Sequence, residues 1–308
     1  MKYISLGERG PEISVVGFGA WAIGGRDWGK TDDSVSKKAL HTALDQGVTF
    51  IDTADVYGFG HSEELIAAVL KDRGKGDVIV ATKAGNDFYN AGATDDSGYG
   101  PIKQTYTKDY LIGAAEKSLR RLNVEALDIL QLHSPDIDKL TSDEPWEALT
   151  TLKRDGKIKH AGLSIQSFRE TEQAFLLDEH HDLLDCIQVR YNLLERTAEK
   201  VLFPKARKYG IGVIVRIPLL FGLLTGKFDR TARFGENDHR RFNLAPEKLD
   251  QYLSDLDDLE PVFEEHPGYS KAQVSLAFCL RHPACHTVIP GGKTPEQVID
   301  NCRAAELV

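Results

Sequence analysis

Short apolar runs rich in β-branched residues alternate with helical patterns from one end of the chain to the other, and this alternation limits the fold more than any other feature. The runs at 15–19, 49–52, 78–82, 126–132, 160–163, 186–189, 212–217 and 287–289 read as eight strands. Between them, apolar residues recur at three- and four-residue spacing, as at Leu111, Ala115, Ser118, Leu119 and Leu122. That spacing predicts helices with one buried stripe over 34–46, 62–71, 111–122, 144–154, 168–177, 200–209, 270–281 and 294–301. Ser270 with Gln273, and Thr294 with Pro295 and Gln297, have the form of capping boxes at two of the starts.

An eightfold strand and helix alternation without a long linker predicts an α/β fold, a (β/α)8 TIM barrel spanning 1–308 as one domain. The N-terminal stretch reads as a β-hairpin turning at 7–10. An open doubly wound sheet would call for GxGxxG opening a helix after the first strand, whereas "GFGAWAIGG" is not followed at once by a helix. Two stretches, 86–107 and 222–246, are too long for plain connectors and are expected over the barrel mouth as lids or specificity walls.

Composition narrows the partners. Of 308 residues, 41% are hydrophobic and 28% charged, and nothing approaches the roughly eighteen uninterrupted apolar residues of a membrane span. The first residues lack the apolar run and cleavage site of a secretory leader, so a cytoplasmic protein without membrane contact is expected. With a net charge of -9 and no dense Lys/Arg block, nucleic acid is not an expected partner. Cys186, Cys279, Cys285 and Cys302 form no CxxC pair and read as reduced, mostly buried thiols. His180, His181, His266, His282 and His286 fit no common ligand spacing, so no metal is expected.

Polar residues close three of the strands. Asp52 ends the run "FID" with Tyr57 one short turn beyond, Lys83 ends "VIVATK", and His133 ends "LDILQLH". In parallel α/β folds the carboxyl ends of strands line the ligand crevice, while strand interiors fill the core. One polar residue at a strand end is ordinarily a cap; four from three strands at one rim point to proton chemistry.

The chain resembles the aldo-keto reductases over nearly its full length. The resemblance is carried by "GFGAW", "GVTFIDTADVYGFGHSEELIA", "VIVATK", "SLRRLNVEALDILQLHSPD", "GKIKHAGLS", "IQVRYN", "GLLTGKF" and "VIPGGKTPEQVIDN". It implies a barrel whose N-terminal hairpin closes the bottom, hydride transfer between a nicotinamide cofactor and a carbonyl or alcohol, and a catalytic set of Asp52, Tyr57, Lys83 and His133. Reduction needs a proton at the carbonyl oxygen, and a phenol of pKa about 10 is too weak an acid unless its anion is stabilised. Lys83 is therefore expected to lower the Tyr57 pKa, Asp52 to keep Lys83 protonated, and a neutral His133 to orient the substrate oxygen.

The same resemblance implies cofactor contacts. Ser164 and Gln188 would hold the nicotinamide amide, and Leu219, Gly222, Leu223, Thr225, Gly226 and Lys227 would follow the pyrophosphate. Gly291, Gly292 and Lys293 lead into the helix after Thr294, whose N-terminus suits a phosphate, and Asp300 and Asn301 match adenine contacts. Three positions depart from the pattern: Arg216 where many members carry an aromatic residue against the nicotinamide, Ile165 where many carry asparagine, and Gln297 where some carry arginine. Lys293 as the main charge favours NADPH, with NADH also admissible. Trp21, with Trp28, Tyr89 and Phe221, is expected to wall the pocket for a small-molecule substrate.

These expectations give an NADPH-dependent reductase of aldehydes or ketones with Tyr57 as general acid. Two alternatives are a sugar or polyol dehydrogenase running oxidatively and a nucleotide-binding regulatory subunit with little turnover.

Overall fold

The computed structural model describes residues 1–25, 28–29, 31–90 and 102–308. Its strands are β1 (Tyr3–Ser5), β2 (Glu12–Ser14), β3 (Phe18–Gly19), β4 (Phe50–Asp52), β5 (Ile79–Ala84), β6 (Leu127–His133), β7 (Ile158–Ser164), β8 (Cys186–Arg190), β9 (Gly212–Arg216) and β10 (Thr287–Val288). Strands β3 to β10 pair in chain order, each parallel to the next. Parallel bridges Val16↔Val288 and Gly19↔Gly291 join the first strand to the last, so the sheet closes into the expected barrel.

Helices lie between the strands because one face of each is apolar. In Lys108–Leu122 the buried residues are Leu111, Ala114, Ala115, Ser118 and Leu122, a stripe at helical spacing. Ser270 and Gln273 form the reciprocal capping box at the start of Lys271–Arg281. At Pro295–Cys302 the Thr294 side chain accepts from the Gln297 amide, but the Gln297 side chain accepts from Lys293 N at 2.8 Å instead of completing the box. The expected helix over 168–177 is divided into Glu170–Gln173 and Leu176–His180, and 246–264 holds two helices, Pro246–Asp257 and Glu260–Glu264, that the periodicity reading omitted. Leu249, Leu256 and Phe263 bury these last two against Leu220, Leu223 and Leu224, a core separate from the barrel interior.

The barrel interior is filled from below by the hairpin. Strands β1 and β2 pair antiparallel, and Leu6 and Ile13 enter the cluster of Phe50, Ala81, Ile129, Cys186, Ile214 and Ile289. Main-chain bonds such as Glu8 N to Gly210 O tie the turn to the barrel floor. Its charged anchor is Asp185, whose buried carboxylate accepts from Arg9 Nε at 3.2 Å, Lys153 Nζ at 2.7 Å and Ala161 N at 3.0 Å. All four cysteines are free and buried. Among the described residues no helix is long and apolar enough to cross a membrane.

Burial raises the Asp185 pKa, but hydrogen bonds from His160, Lys153 and the Ala161 amide outweigh it and hold the carboxyl at about 2. The folded value lies below the unfolded value of about 3.9, so the stabilisation is complete above that range and is lost as pH falls through the folded value. Replacing the carboxylate strands a part-buried set of donors, and Asp185→Ala is expected to lower stability by about 2 kcal/mol at neutral pH. Thermal melts of the two proteins should differ at pH 7 and converge as pH approaches about 2; an equal difference at both ends would remove the carboxylate from the explanation.

Candidate active site

Side chains alternate across each strand, so residues that end neighbouring strands on the inner face converge at one rim. Asp52 ends β4, His133 ends β6, Ser164 ends β7, and Lys83 and Gln188 sit near the ends of β5 and β8. Register places Lys83 beside Gln131, His133 beside Ser164, Ser164 beside Gln188, and Arg190 beside Arg216. Tyr57 is carried by the turn after β4, whose geometry depends on a close approach of two loops. Gly58 has φ 60°, and a Cβ there would lie 2.0 Å from Gly24 O, so only glycine lets the turn seat Tyr57 against the loop after β3.

The buried centre is an ion pair. Lys83 Nζ donates to Asp52 Oδ2 at 2.7 Å and to Thr53 O at 2.7 Å, with both charged side chains almost wholly buried. The other carboxylate oxygen of Asp52 accepts from Gln188 Nε2 at 2.7 Å and Gln131 Nε2 at 3.3 Å. Lys83 Nζ lies 5.0 Å from the centre of the Tyr57 ring, and the His133 ring meets Tyr57 edge-on at 5.7 Å. Trp21 stacks on Tyr57 with ring centres 5.9 Å apart. The four residues expected to act together are thus adjacent.

Burial disfavours the charge of Lys83, yet Asp52 and Tyr57 outweigh it and hold the ammonium above the usual lysine range. Burial, then Lys83 and Arg216, push the His133 imidazole well below its ordinary value, so it is neutral. The expected fall in the Tyr57 pKa is not the net direction. Burial, which strips the phenolate of hydration, and the Asp52 carboxylate together raise it more than Lys83 and Arg216 lower it. Lys83 therefore limits a rise instead of producing a drop.

A cavity of about 600 Å³ runs from this centre across the mouth. Trp21, Trp28, Phe221, Ser164, Gln188, Arg216, Leu219, Gly222, Thr225, Lys227, Gly291, Lys293, Gln297, Asp300 and Asn301 all line it, beside Asp52, Tyr57 and His133. Lys83 lies beneath Asp52 and Tyr57, Leu223 is buried in the neighbouring core, and Gly226 and Gly292 are not in the wall. Tyr89 is a correction: its hydroxyl accepts from Arg121 Nη2 at 2.8 Å and faces Asp55, away from the cavity. Within the expected mouth loop 86–107, residues 91–101 lie outside the described residues, and 104–105 are tied to Gly85 and Asn86.

Several residues of the site escaped the sequence reading; Gln131 donates to Asp52 without lining the cavity, and the others lie in its wall. Gln131 and Arg190 lie two residues from His133 and Gln188, so strand alternation alone carried the signal for both. Ser134 Oγ, 3.0 Å from Ser164 Oγ, and Ser167, which accepts from Arg216, gave no comparable sign. Arg240 and Asn243 come from the short helix Arg240–Asn243 and reach the cavity only through the course of its loop.

Residues 15–308 match the family model described as the Aldo/keto reductase family. The chain belongs to this family. It is 33% identical over 301 residues to the aldo-keto reductase YhdN of Bacillus subtilis, covering 97% of this chain and 87% of the relative. A probable voltage-gated potassium channel subunit beta of Oryza sativa subsp. japonica is 30% identical, with 100% and 92% covered. The glycerol dehydrogenase AKR11B4 of Gluconobacter oxydans superposes with a TM-score of 0.82 at 34% identity, covering 97% and 89% of the two chains. The holo form of aldo-keto reductase AKR11C1 from Bacillus halodurans gives 0.77 at 28% identity, covering 100% and 92%. This aldo-keto reductase is accordingly an oxidoreductase of carbonyl or alcohol groups.

The cavity fits an extended anionic cofactor. Gly222 has φ 92°, a Cβ there would come within 3.0 Å of Lys227 Nζ, and Arg216 Nε is buried without a hydrogen-bond partner. Lys227 and Lys293 face the cavity with their pKa values lowered, chiefly by burial and then by Arg240, so an arriving anion relieves both. For the opposite end, the low His133 pKa makes a direct prediction. Its ¹⁵N resonances should report a neutral ring at about pH 6, where an ordinary imidazole is largely protonated, and an imidazolium signal there would contradict the burial that sets its charge.

Proposed function

We propose that the protein is an NADPH-dependent reductase of aldehydes or ketones in which Tyr57 is the proton donor. The observation that carries this reading is the buried Asp52–Lys83 pair beneath Tyr57, with neutral His133 against the same ring. The bound nicotinamide supplies the hydride. Tyr57 then delivers its hydroxyl proton to the carbonyl oxygen as negative charge develops there, and the Lys83 ammonium stabilises the tyrosinate left behind. His133 Nδ1 has no partner among the described residues, and an orphaned N–H is rarer than an orphaned lone pair. The ring proton therefore belongs on Nε2, from which the imidazole donates to the same oxygen.

Ser164 and Gln188 would take the carboxamide, and Leu219, Gly222, Thr225 and Lys227 the pyrophosphate. Lys293 with the start of Pro295–Cys302 would take the 2'-phosphate, and Asp300 and Asn301 would adjoin the adenine. Leu223, Gly226 and Gly292 shape the backbone of these loops. Gln297 adds no charge, which leaves Lys293 to distinguish NADPH from NADH. Trp21, Trp28 and Phe221 give the substrate an aromatic wall, closed further by His239 at 4.3 Å from both tryptophan rings.

A second reading, oxidation of a polyol, is favoured by the similarity to a glycerol dehydrogenase, because the same four residues serve both directions. A nucleotide-binding subunit with little turnover is the reading that the channel-subunit relatives suggest, and the complete acid, counter-charge and orienting set weighs against it.

Tyr57→Phe keeps the ring and its packing and removes only the proton. It is expected to lower kcat for a generic aldehyde by at least about a thousandfold while NADPH still quenches protein fluorescence; retained turnover would reject Tyr57 as the donor. Lys293→Ala should weaken NADPH by about tenfold or more and NADH little, whereas equal losses would take the 2'-phosphate away from Lys293.

A further inference from the structure

Arg216 ends β9 and lines the same part of the cavity as Tyr57, His133, Ser164 and Gln188. Its Nη2 donates to Ile165 O and to Ser167 Oγ, both at 2.9 Å, which fixes the guanidinium in place. Nε is buried without a partner, and no ion pair of the described residues includes Arg216. Its strand neighbour Arg190 is different, since Glu195 accepts from both Nε and Nη2 of Arg190 at 2.5 Å. One of the two guanidinium charges at this rim is neutralised and the other is not.

The uncompensated charge is felt at the reaction centre. It lowers the pKa values of both Tyr57 and His133, with burial the larger influence on each. Burial, and then Arg190, bring Arg216 itself down to about 10, so it remains cationic at neutral pH. Tyr57, Glu170 and Asp52 act on it in the opposite direction.

We propose that Arg216 selects the oxidation state of the cofactor, favouring the reduced nicotinamide over the oxidised one. The inference rests on the nicotinamide site proposed above. NADPH and NADP+ share the pyrophosphate and 2'-phosphate, so Lys227 and Lys293 act on both alike. The two differ at the ring, which is neutral when reduced and carries one positive charge when oxidised.

Reduction moves two electrons and one hydrogen from the ring to the carbonyl carbon, while the carbonyl π pair takes the Tyr57 proton at oxygen. The ring gains a positive charge as Tyr57 gains a negative one. Their effects at Arg216 oppose each other during the chemical step, and the imbalance appears once Tyr57 has recovered a proton from solvent. The oxidised cofactor is then held against an unpaired guanidinium and leaves more readily, so the enzyme is biased toward carbonyl reduction.

The test is direct titration of NADPH and NADP+ by calorimetry with wild type, Arg216→Gln and Arg216→Lys. Wild type is expected to bind NADPH at least about tenfold more tightly than NADP+. Arg216→Gln should shrink that ratio by about tenfold, mainly by tightening NADP+, and Arg216→Lys should keep it. A wild-type ratio near one overturns the proposal whether or not the variants fold. So does an equal loss for both cofactors in Arg216→Gln, which would mark a packing role. Failure of wild type to bind either nicotinamide overturns the reading of the cavity and this inference with it, whereas binding with an unchanged ratio overturns this inference alone.

Discussion

The site depends on a charge pair that the barrel interior would otherwise reject. Lys83 and Asp52 are both almost wholly buried, and removing such ions from water carries a penalty of several kcal/mol each. Every available partner is used to offset it: Asp52 accepts from Lys83, Gln188 and Gln131, and Lys83 donates to Asp52 and to Thr53 O. Well-packed apolar side chains of similar volume would serve stability at least as well, so the reason for the pair lies in what stands above it. An ammonium held charged beneath the cavity faces Tyr57, the residue proposed as proton donor.

The same burial explains why Tyr57 is not acidic at rest. Burial, with the Asp52 carboxylate adding to it, penalises the phenolate more than Lys83 and Arg216 relieve it, so the phenol keeps its proton at neutral pH. Around the centre, the backbone is strained where it borders the cavity. Ile217, Leu220 and Phe221 all have positive φ, a conformation that a β-branched or bulky residue adopts only when its surroundings impose it. The second core, built from Leu220, Leu223, Leu224, Leu249 and Leu256, supplies that constraint from outside the barrel.

Strand order, the hairpin and the acid, amine and imidazole were legible because each follows from a local rule: β-branched runs bounded by turns, and polar residues at strand ends. The interior network was partly legible, since Gln131 shares the inner face with His133 by alternation. What escaped depends on tertiary context. The helices at Pro246–Asp257 and Glu260–Glu264 bury against the loop before them, so their stripe has meaning only once that loop is placed. Tyr89 misled because an aromatic residue after a strand can turn either way, and here the buried Glu63–Arg121 pair captures its hydroxyl. The net direction of the Tyr57 pKa escaped for the same reason, because desolvation is a property of the assembled pocket.

At the far end of the cavity the protein holds positive charge together. The bridge between Trp28 and Asp238 joins two loops across the cavity, and Lys293 Nζ donates to Trp28 O on one side while Asp238 pairs with Arg240 on the other. Asp238 neutralises Arg240, but Lys227 and Lys293 still feel Arg240, and Lys293 also feels Lys227. Cations held this close repel one another, which lowers the pKa values of both lysines beyond the effect of burial. The fold tolerates this because the buried apolar clusters hold these loops in place. The two ends of the cavity thus share one feature: charge is fixed in place by packing and by protein partners, Asp52 for Lys83 and Asp238 for Arg240.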